Sequence, residues 1–292
     1  MKFWVAFSFT DPTHMVALAR RAEELGFEGV FLADHLAYPA AFASKYPYAP
    51  GGEPPFDAAT PFPDPFACIG AMATATRTLR FSIAIYILPL HDPLYVAKAC
   101  ATSAILSQGR FSLGAGAGWM REEFELRGLD FDARGRRMDE SIAVLRKLWT
   151  GEMVEHRGAH FAFPRLCQSP PPPAPVPILI GGASAAALRR AGRLGDGWIG
   201  AGNTPEQAEA ILTALARERR EAGRSGPFEA IVPLVTPPDA AVYARLAALG
   251  MSASVSWPPS LALGIAAPSL AQELGYLEQF GRDVIRPFAD AG

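Results

Sequence analysis

The chain carries a histidine where proton chemistry would need one. Gly29-Val-Phe-Leu-Ala33 is a short apolar run, and Asp34-His35 closes it. At the end of a buried strand, an imidazole would serve as an acid or base near neutral pH. The simpler alternative is that the pair caps the long segment that follows.

Two glycine clusters could hold a ligand through the backbone. Arg110-Phe-Ser-Leu-Gly-Ala-Gly-Ala-Gly-Trp119 places glycines at 114, 116 and 118 after a β-type run, with acids next at Glu122, Glu123 and Glu125. Alternate glycines strip side chains from the chain, so a flat or anionic group can approach the N–H groups. Val176-Pro-Ile-Leu-Ile-Gly-Gly-Ala-Ser184 ends in Gly181-Gly182-Ala183, and Ser184 opens a helix. The free N–H groups of a helix start suit a phosphate. For both clusters, turn geometry alone is the competing reading.

Several chemistries are excluded by spacing. The first cluster reads G-x-G-x-G and opens no helix, so it is not the G-x-G-x-x-G of a Rossmann dinucleotide site. G-x-S-x-G and G-K-[ST] do not occur, which argues against a hydrolase elbow and a P-loop. His14, His156 and His160 lack metal-ligand spacing, H-E-x-x-H is missing, and no metal site is expected. His91, in Leu90-His-Asp-Pro93, reads as a partly exposed loop residue, and Asp92 as a helix cap.

Strand and helix signals alternate around these residues. Strand-like runs fall near Phe3–Phe9, Gly29–Ala33, Leu79–Leu88, Arg110–Leu113, Val176–Ile180, Gly197–Gly200, Phe228–Leu234 and Ser252–Trp257. Asp11-Pro12, Asp64-Pro65 and Asp92-Pro93 each set a capping acid before a helix-starting proline. Thr204 with Gln207 and Ser269 with Gln272 read as capping boxes, and Gly26, Gly109 and Gly250 as C-terminal caps. The stripes Met15, Leu18, Ala22, Leu25 and Met138, Ile142, Leu145, Trp149 have helical spacing and read as core.

Eight β-then-α units suggest a (β/α)₈ barrel over residues 1–292, with a doubly wound open sheet as the alternative. Long loops follow strand two (36–63) and strand four (117–136), at the end where barrel enzymes keep their sites. A third excursion, 151–175, precedes strand five and ends in Pro170-Pro-Pro-Pro173, a stiff polyproline stretch.

Composition limits the partners. Of 292 residues 50% are hydrophobic, and the formal charge of −2 with pI near 6.2 gives no basic field for nucleic acid. The longest apolar run, Phe81 to Leu90, is too short to span a bilayer, and no signal sequence follows Met1-Lys2. The expectation is a cytoplasmic protein acting on a small molecule. Cys68, Cys100 and Cys167 suggest neither disulfides nor zinc and are expected to be buried.

With these residues assembled, the sequence resembles the luciferase-like monooxygenase superfamily, and within it the oxidoreductases dependent on the deazaflavin coenzyme F420. The resemblance covers residues 1–215. It is carried by Gly29 to His35, Pro61-Phe-Pro-Asp-Pro65, Leu113 to Trp119 with Glu122-Glu123-Phe124, Glu140 to Gly151, and Ile180-Gly-Gly with Ala191 to Trp198. It implies a barrel with the cofactor ring across its C-terminal mouth and His35 as proton donor or acceptor. Asp34 and Trp198 would join the cofactor site, Ala84-Ile85 would back the ring through a non-prolyl cis peptide, and Gly116, Gly118 and Trp119 would line the ring's other side. Gly181, Gly182 and Ala183 would hold the phosphate. Tyr46, Tyr48 and Phe56 of the long loop would cover the substrate pocket. The resemblance also implies a possible homodimer. Trp119 stands where several such enzymes carry a catalytic glutamate, and His91 where arginine is common. Two alternatives stay open: an FMN-dependent two-component monooxygenase, and a barrel that binds a ligand without catalysis.

Overall fold

The computed structural model describes residues 1–290. Its elements run β1 (Lys2–Ala6), α1 (Met15–Glu24), β2 (Gly29–Leu32), α2 (Pro65–Ala75), β3 (Arg80–Ile83), β4 (Tyr86–Ile87), α3 (Pro93–Leu106), β5 (Leu113–Gly116), α4 (Arg121–Leu126) and α5 (Arg134–Leu148). They continue with β6 (Val154–Arg157), β7 (Ala162–Leu166), β8 (Ile178–Gly181), α6 (Ala185–Leu194), β9 (Gly197–Ile199), α7 (Pro205–Glu221), β10 (Glu229–Ile231), α8 (Ala240–Ala248) and β11 (Met251–Ser256). Helices α9 (Pro259–Leu263), α10 (Leu270–Phe280) and α11 (Arg286–Asp290) complete the order.

The main sheet is parallel throughout, in the order β3-β2-β1-β11-β10-β9-β8-β5-β4. Its two end segments, β3 and β4, are successive pieces of one strand, interrupted at Ala84-Ile85. Phe81 also bonds across to the start of the β5 strand, its N–H meeting the Arg110 carbonyl at 3.0 Å. The nine segments therefore make eight staves and the sheet closes into a (β/α)₈ barrel. Trp4, Phe31, Leu179, Ile199, Ile231 and Ala253 fill its interior.

The helix signals resolve into caps. The carboxylates of Asp64 and Asp92 accept from the N–H groups of Ala67 and Leu94 at 2.8 Å each. Both capping boxes form, and Gly26, Gly109 and Gly250 take φ of +84°, +84° and +102° at helix ends. Asp11-Pro12 does not start its helix; Asp11 instead folds a turn onto the Thr13 N–H at 2.8 Å, and α1 begins at Met15.

Three other expectations change. The fourth strand lies at 113–116, not 110–113, so Gly114 and Gly116 are strand residues. The third strand is broken in two at a bulge with a cis Ala84-Ile85 bond at the break, as the resemblance implies. The excursion before β8 contains an antiparallel hairpin, β6–β7, tied down by Glu140, which accepts from His156 Nε2 (3.0 Å) and from the His160 and Phe161 N–H groups (2.9 Å each). Of the cysteines only Cys100 is buried; Cys167 is exposed. No helix among the described residues is long and apolar enough to cross a membrane, and no group of three metal-binding side chains stands together there.

Candidate active site at the barrel mouth

His35 leaves the end of β2 with its ring among aromatic side chains. Ring centroids lie 5.0 Å from Phe56, 5.1 Å from Phe62 and 5.8 Å from Trp119. Its Nδ1 donates at 3.1 Å to Oε2 of Glu123, whose side chain is 0% exposed; that of His35 is 11% exposed. With Nδ1 committed to a carboxylate, Nε2 is the nitrogen left for chemistry. Glu123 also accepts from the Leu36 N–H at 2.6 Å. A buried carboxylate needs such donors.

Glu122, the residue before, holds the same loop further along. Its Oε1 accepts from the N–H groups of Ala43 (2.8 Å) and Ser44 (3.2 Å). Burial works against the Glu122 charge, but the Ser44 hydroxyl, followed by the backbone N–H groups, outweighs it and brings its carboxyl below the ordinary range. The acids in the first turn of α4 thus fasten the start and middle of the loop after β2.

Asp34 points elsewhere, to the interrupted strand. Its Oδ2 accepts from the Ile87 N–H at 3.0 Å and from His91 Nε2 at 3.1 Å. The His91 ring stacks on Tyr86 at 4.2 Å, so this histidine is a built part of the bulge. Burial, then the Asp34 charge, push the Tyr86 hydroxyl up.

The bulge explains two of the flagged glycines. A Cβ on Gly116 would sit 2.6 Å from Ile85 Cγ2, and one on Gly181 would collide with Ile85 Cδ1. Gly114 faces the Ile83 carbonyl just as closely. These glycines make room for the third strand, so the surface nearest them belongs to Ala84 and Ile85, both half-buried. Gly118 is different: its φ of +83° demands glycine, and Trp119 follows it toward Tyr46, 5.4 Å away between ring centroids.

Gly182, with φ of +103°, and Ala183 lead into α6, whose cap Ser184 accepts from the Ala187 N–H at 3.2 Å. Residues 183–186 are exposed and the first turn holds no acid. Trp198 is fully buried beneath this loop and donates through Nε1 to the Gly182 carbonyl at 2.8 Å, so any part it has in binding passes through Gly182. A cleft of about 450 Å³ beside α6 is lined by Ala186, Arg189, Arg190, Arg193, Asp139 and Leu194.

Tyr46 and Tyr48 pack edge to face at 5.4 Å. Burial, then Tyr48, pushes the Tyr46 hydroxyl up to about 12, so it stays a donor and not a base. Phe9, whose φ of 67° is unusual for a residue with a side chain, adds its ring to Phe56 and Phe62. Sequence reasoning missed Phe9, Phe62 and the part played by Glu123. Nothing local links residues 35 and 123, and an acid in a helix's first turn reads equally well as a partner of the helix dipole.

Known proteins resemble the chain along most of its length. An uncharacterized protein of Mycobacterium tuberculosis is 39% identical over 229 residues, 78% of this chain and 79% of that one. An F420-dependent glucose-6-phosphate dehydrogenase of Nakamurella multipartita is 33% identical over 220 residues, 73% of this chain and 60% of that one. Among solved structures, the coenzyme F420 dependent tetrahydromethanopterin reductase of Methanopyrus kandleri superposes with a TM-score of 0.75 over 98% of this chain and 99% of that one, at 16% identity. A monooxygenase of Streptomyces bottropensis does so with a TM-score of 0.71, 19% identity, and 99% and 100% coverage. At such identities the structural likeness speaks for the fold. The family model described as luciferase-like monooxygenase matches residues 5–279, and the chain belongs to that family.

Proposed function

We propose that this protein is an F420-dependent oxidoreductase in which His35 exchanges a proton with the substrate. The observation that carries the reading is the His35–Glu123 pair, set among aromatic rings at a barrel mouth, in a chain whose relatives include enzymes named as F420-dependent. The residues present fit the cofactor. The bulge at Ala84-Ile85 and the faces of Gly118 and Trp119 would take the flat ring. Gly182, Ala183 and the acid-free first turn of α6 would take the phosphate, with Gly181 and Trp198 supporting that loop. Arg189 and Arg193 stand in the adjoining cleft for the acidic tail.

The deazaflavin, when bound, supplies the two-electron hydride chemistry. The chain's own part is to position and to protonate. Glu123 fixes the Nδ1–H form of His35, leaving Nε2 to give or take a proton at a substrate oxygen. Glu122 and Glu123 hold the loop that carries Tyr46, Tyr48 and Phe56 over the mouth, which keeps water from the reacting atoms.

Titration of the purified protein with F420, followed by quenching of the cofactor's fluorescence, tests this reading. Saturable binding is expected, and a lack of binding overturns it. FMN copurifying in stoichiometric amount would instead support a flavin monooxygenase.

A further inference from the structure

A second buried carboxylate–histidine pair stands beside the mouth, and the proton chemistry proposed above does not use it. Glu273, in the first turn of α10, is 1% exposed, and its Oε2 accepts from His14 Nδ1 at 2.7 Å. An acid at this place on a helix ordinarily serves the helix dipole from the surface. Glu273 instead lies against the segment joining β1 to α1, where Thr10, also 1% exposed, bonds the same carboxylate. Burial pushes the Glu273 carboxyl up, and the His14 and Thr10 bonds act against that rise. A carboxylate buried this deeply needs such donors.

Phe9 precedes Thr10 in the chain. Its φ of 67° is rare for a residue with a side chain and persists only where the neighbours fix the backbone. On one side the Phe7 N–H donates to the Phe31 carbonyl at 2.7 Å. On the other, Glu273 holds Thr10 and His14, and Asp11 folds the residues between them by accepting from the Thr13 N–H at 2.8 Å and the Thr13 hydroxyl at 2.7 Å. So held, the Phe9 ring stands 5.9 Å from Phe56 and 5.5 Å from Phe62, which lie 5.0 and 5.1 Å from the His35 ring. Other charges nearby are engaged elsewhere. Arg21 on α1 pairs with Glu24 and Glu278, and residues 257–268, which lead from β11 to α10, contain no ionisable side chain.

We infer that Glu273 is a positioning residue for the substrate pocket: through Thr10 and His14 it fixes Phe9 as one wall of the aromatic pocket beside His35. The inference rests on the reading above for this pocket being the substrate's. Without the carboxylate, Phe9 is free to leave its φ and open that wall. Affinity for an apolar body then falls, while the imidazole, held by Glu123, keeps its place.

A neutral ring, 4-fluorotoluene, probes the pocket in the cofactor-free protein, with binding followed by fluorine NMR. The parent protein should bind it at millimolar concentration, and Phe9→Ala should weaken binding about fivefold, the worth of one aromatic contact. Glu273→Ala should cost as much, and Glu273→Gln, which keeps one acceptor oxygen, should cost less. Adding Glu273→Ala to Phe9→Ala should cost nothing further, as expected of two residues that act through one contact. Should Glu273→Ala fail to fold, Thr10→Val carries the same prediction. Glu140→Gln, which loosens the β6–β7 hairpin, should lower the melting temperature and leave the probe's affinity unchanged. Parent-like affinity in the Glu273 variants, losses that add, or a matching loss in Glu140→Gln overturns the proposal, as does a lack of binding to the parent protein. The readout needs no cofactor, so failure to bind F420 would strike the oxidoreductase reading alone.

Discussion

Glu123 Oε2 lies 3.1 Å from His35 Nδ1 while its other oxygen accepts the Leu36 N–H at 2.6 Å, so one buried carboxylate orients the imidazole and begins the covering loop. An amide at this position keeps one acceptor oxygen and must leave one of those donors unserved. Glu123→Gln should therefore lower kcat by roughly 10- to 100-fold, a share of the 10²–10⁴ that positioned proton transfer contributes. F420 affinity should be unchanged, and Glu123→Asp should recover part of the loss. Steady-state kinetics beside a cofactor titration check this; a fall in cofactor affinity to match would mean a structural role only.

Ile85 fills the space that side chains on Gly116 and Gly181 would need. Gly181→Ala should overpack the bulge and cost about 1–3 kcal/mol of stability. Adding Ile85→Ala should restore part of that loss, a non-additivity expected of groups in contact. Denaturant melts of the two single variants and the double variant measure it. Strictly additive losses would show that the two residues do not share the space.

Glu122 bonds to the loop through the N–H groups of Ala43 and Ser44. Glu122→Ala should speed proteolytic cleavage within residues 36–63 and raise KM several-fold. Limited proteolysis with mapping of the cut sites would show whether the loop is what loosens.

A pH effect is expected at the opposite end of the barrel. Burial acts to raise the Glu23 carboxyl, but the N–H groups of Thr78, Leu79 and Arg77 and the Thr78 hydroxyl prevail and bring it from 4.5 to about 2. The folded protein then binds fewer protons than the unfolded chain between these values. Its contribution is complete above pH 4.5 and lost as the pH falls toward 2. Glu23→Gln should lower the melting temperature at pH 7, and between pH 4.5 and 3 it should melt with a shallower pH dependence than the parent protein.

What could be read in advance follows the range of the interactions. Caps and capping boxes are local, so Asp64, Asp92, Thr204 and Ser269 announced their helices. The eight staves were legible because β-branched and apolar runs alternate with helical stripes. Proximity over long sequence distances was not. The glycines at 114 and 116 signalled a missing side chain, but the sequence could not say that Ile83 and Ile85, some thirty residues earlier, occupy the space. His35 stood out by its place at a strand end, whereas Glu123 is 88 residues away in the sequence. The β6–β7 hairpin escaped notice because its alternation is weak and His156 and Glu140 meet only in the folded chain.

Helix α4 is only six residues long, yet Glu122 and Glu123 on its first turn grip two different parts of one loop and the imidazole besides. It behaves as a common handle. A tilt of this turn would lift the cover and swing the imidazole in the same stroke, so the loop's position and the ring's orientation would change together.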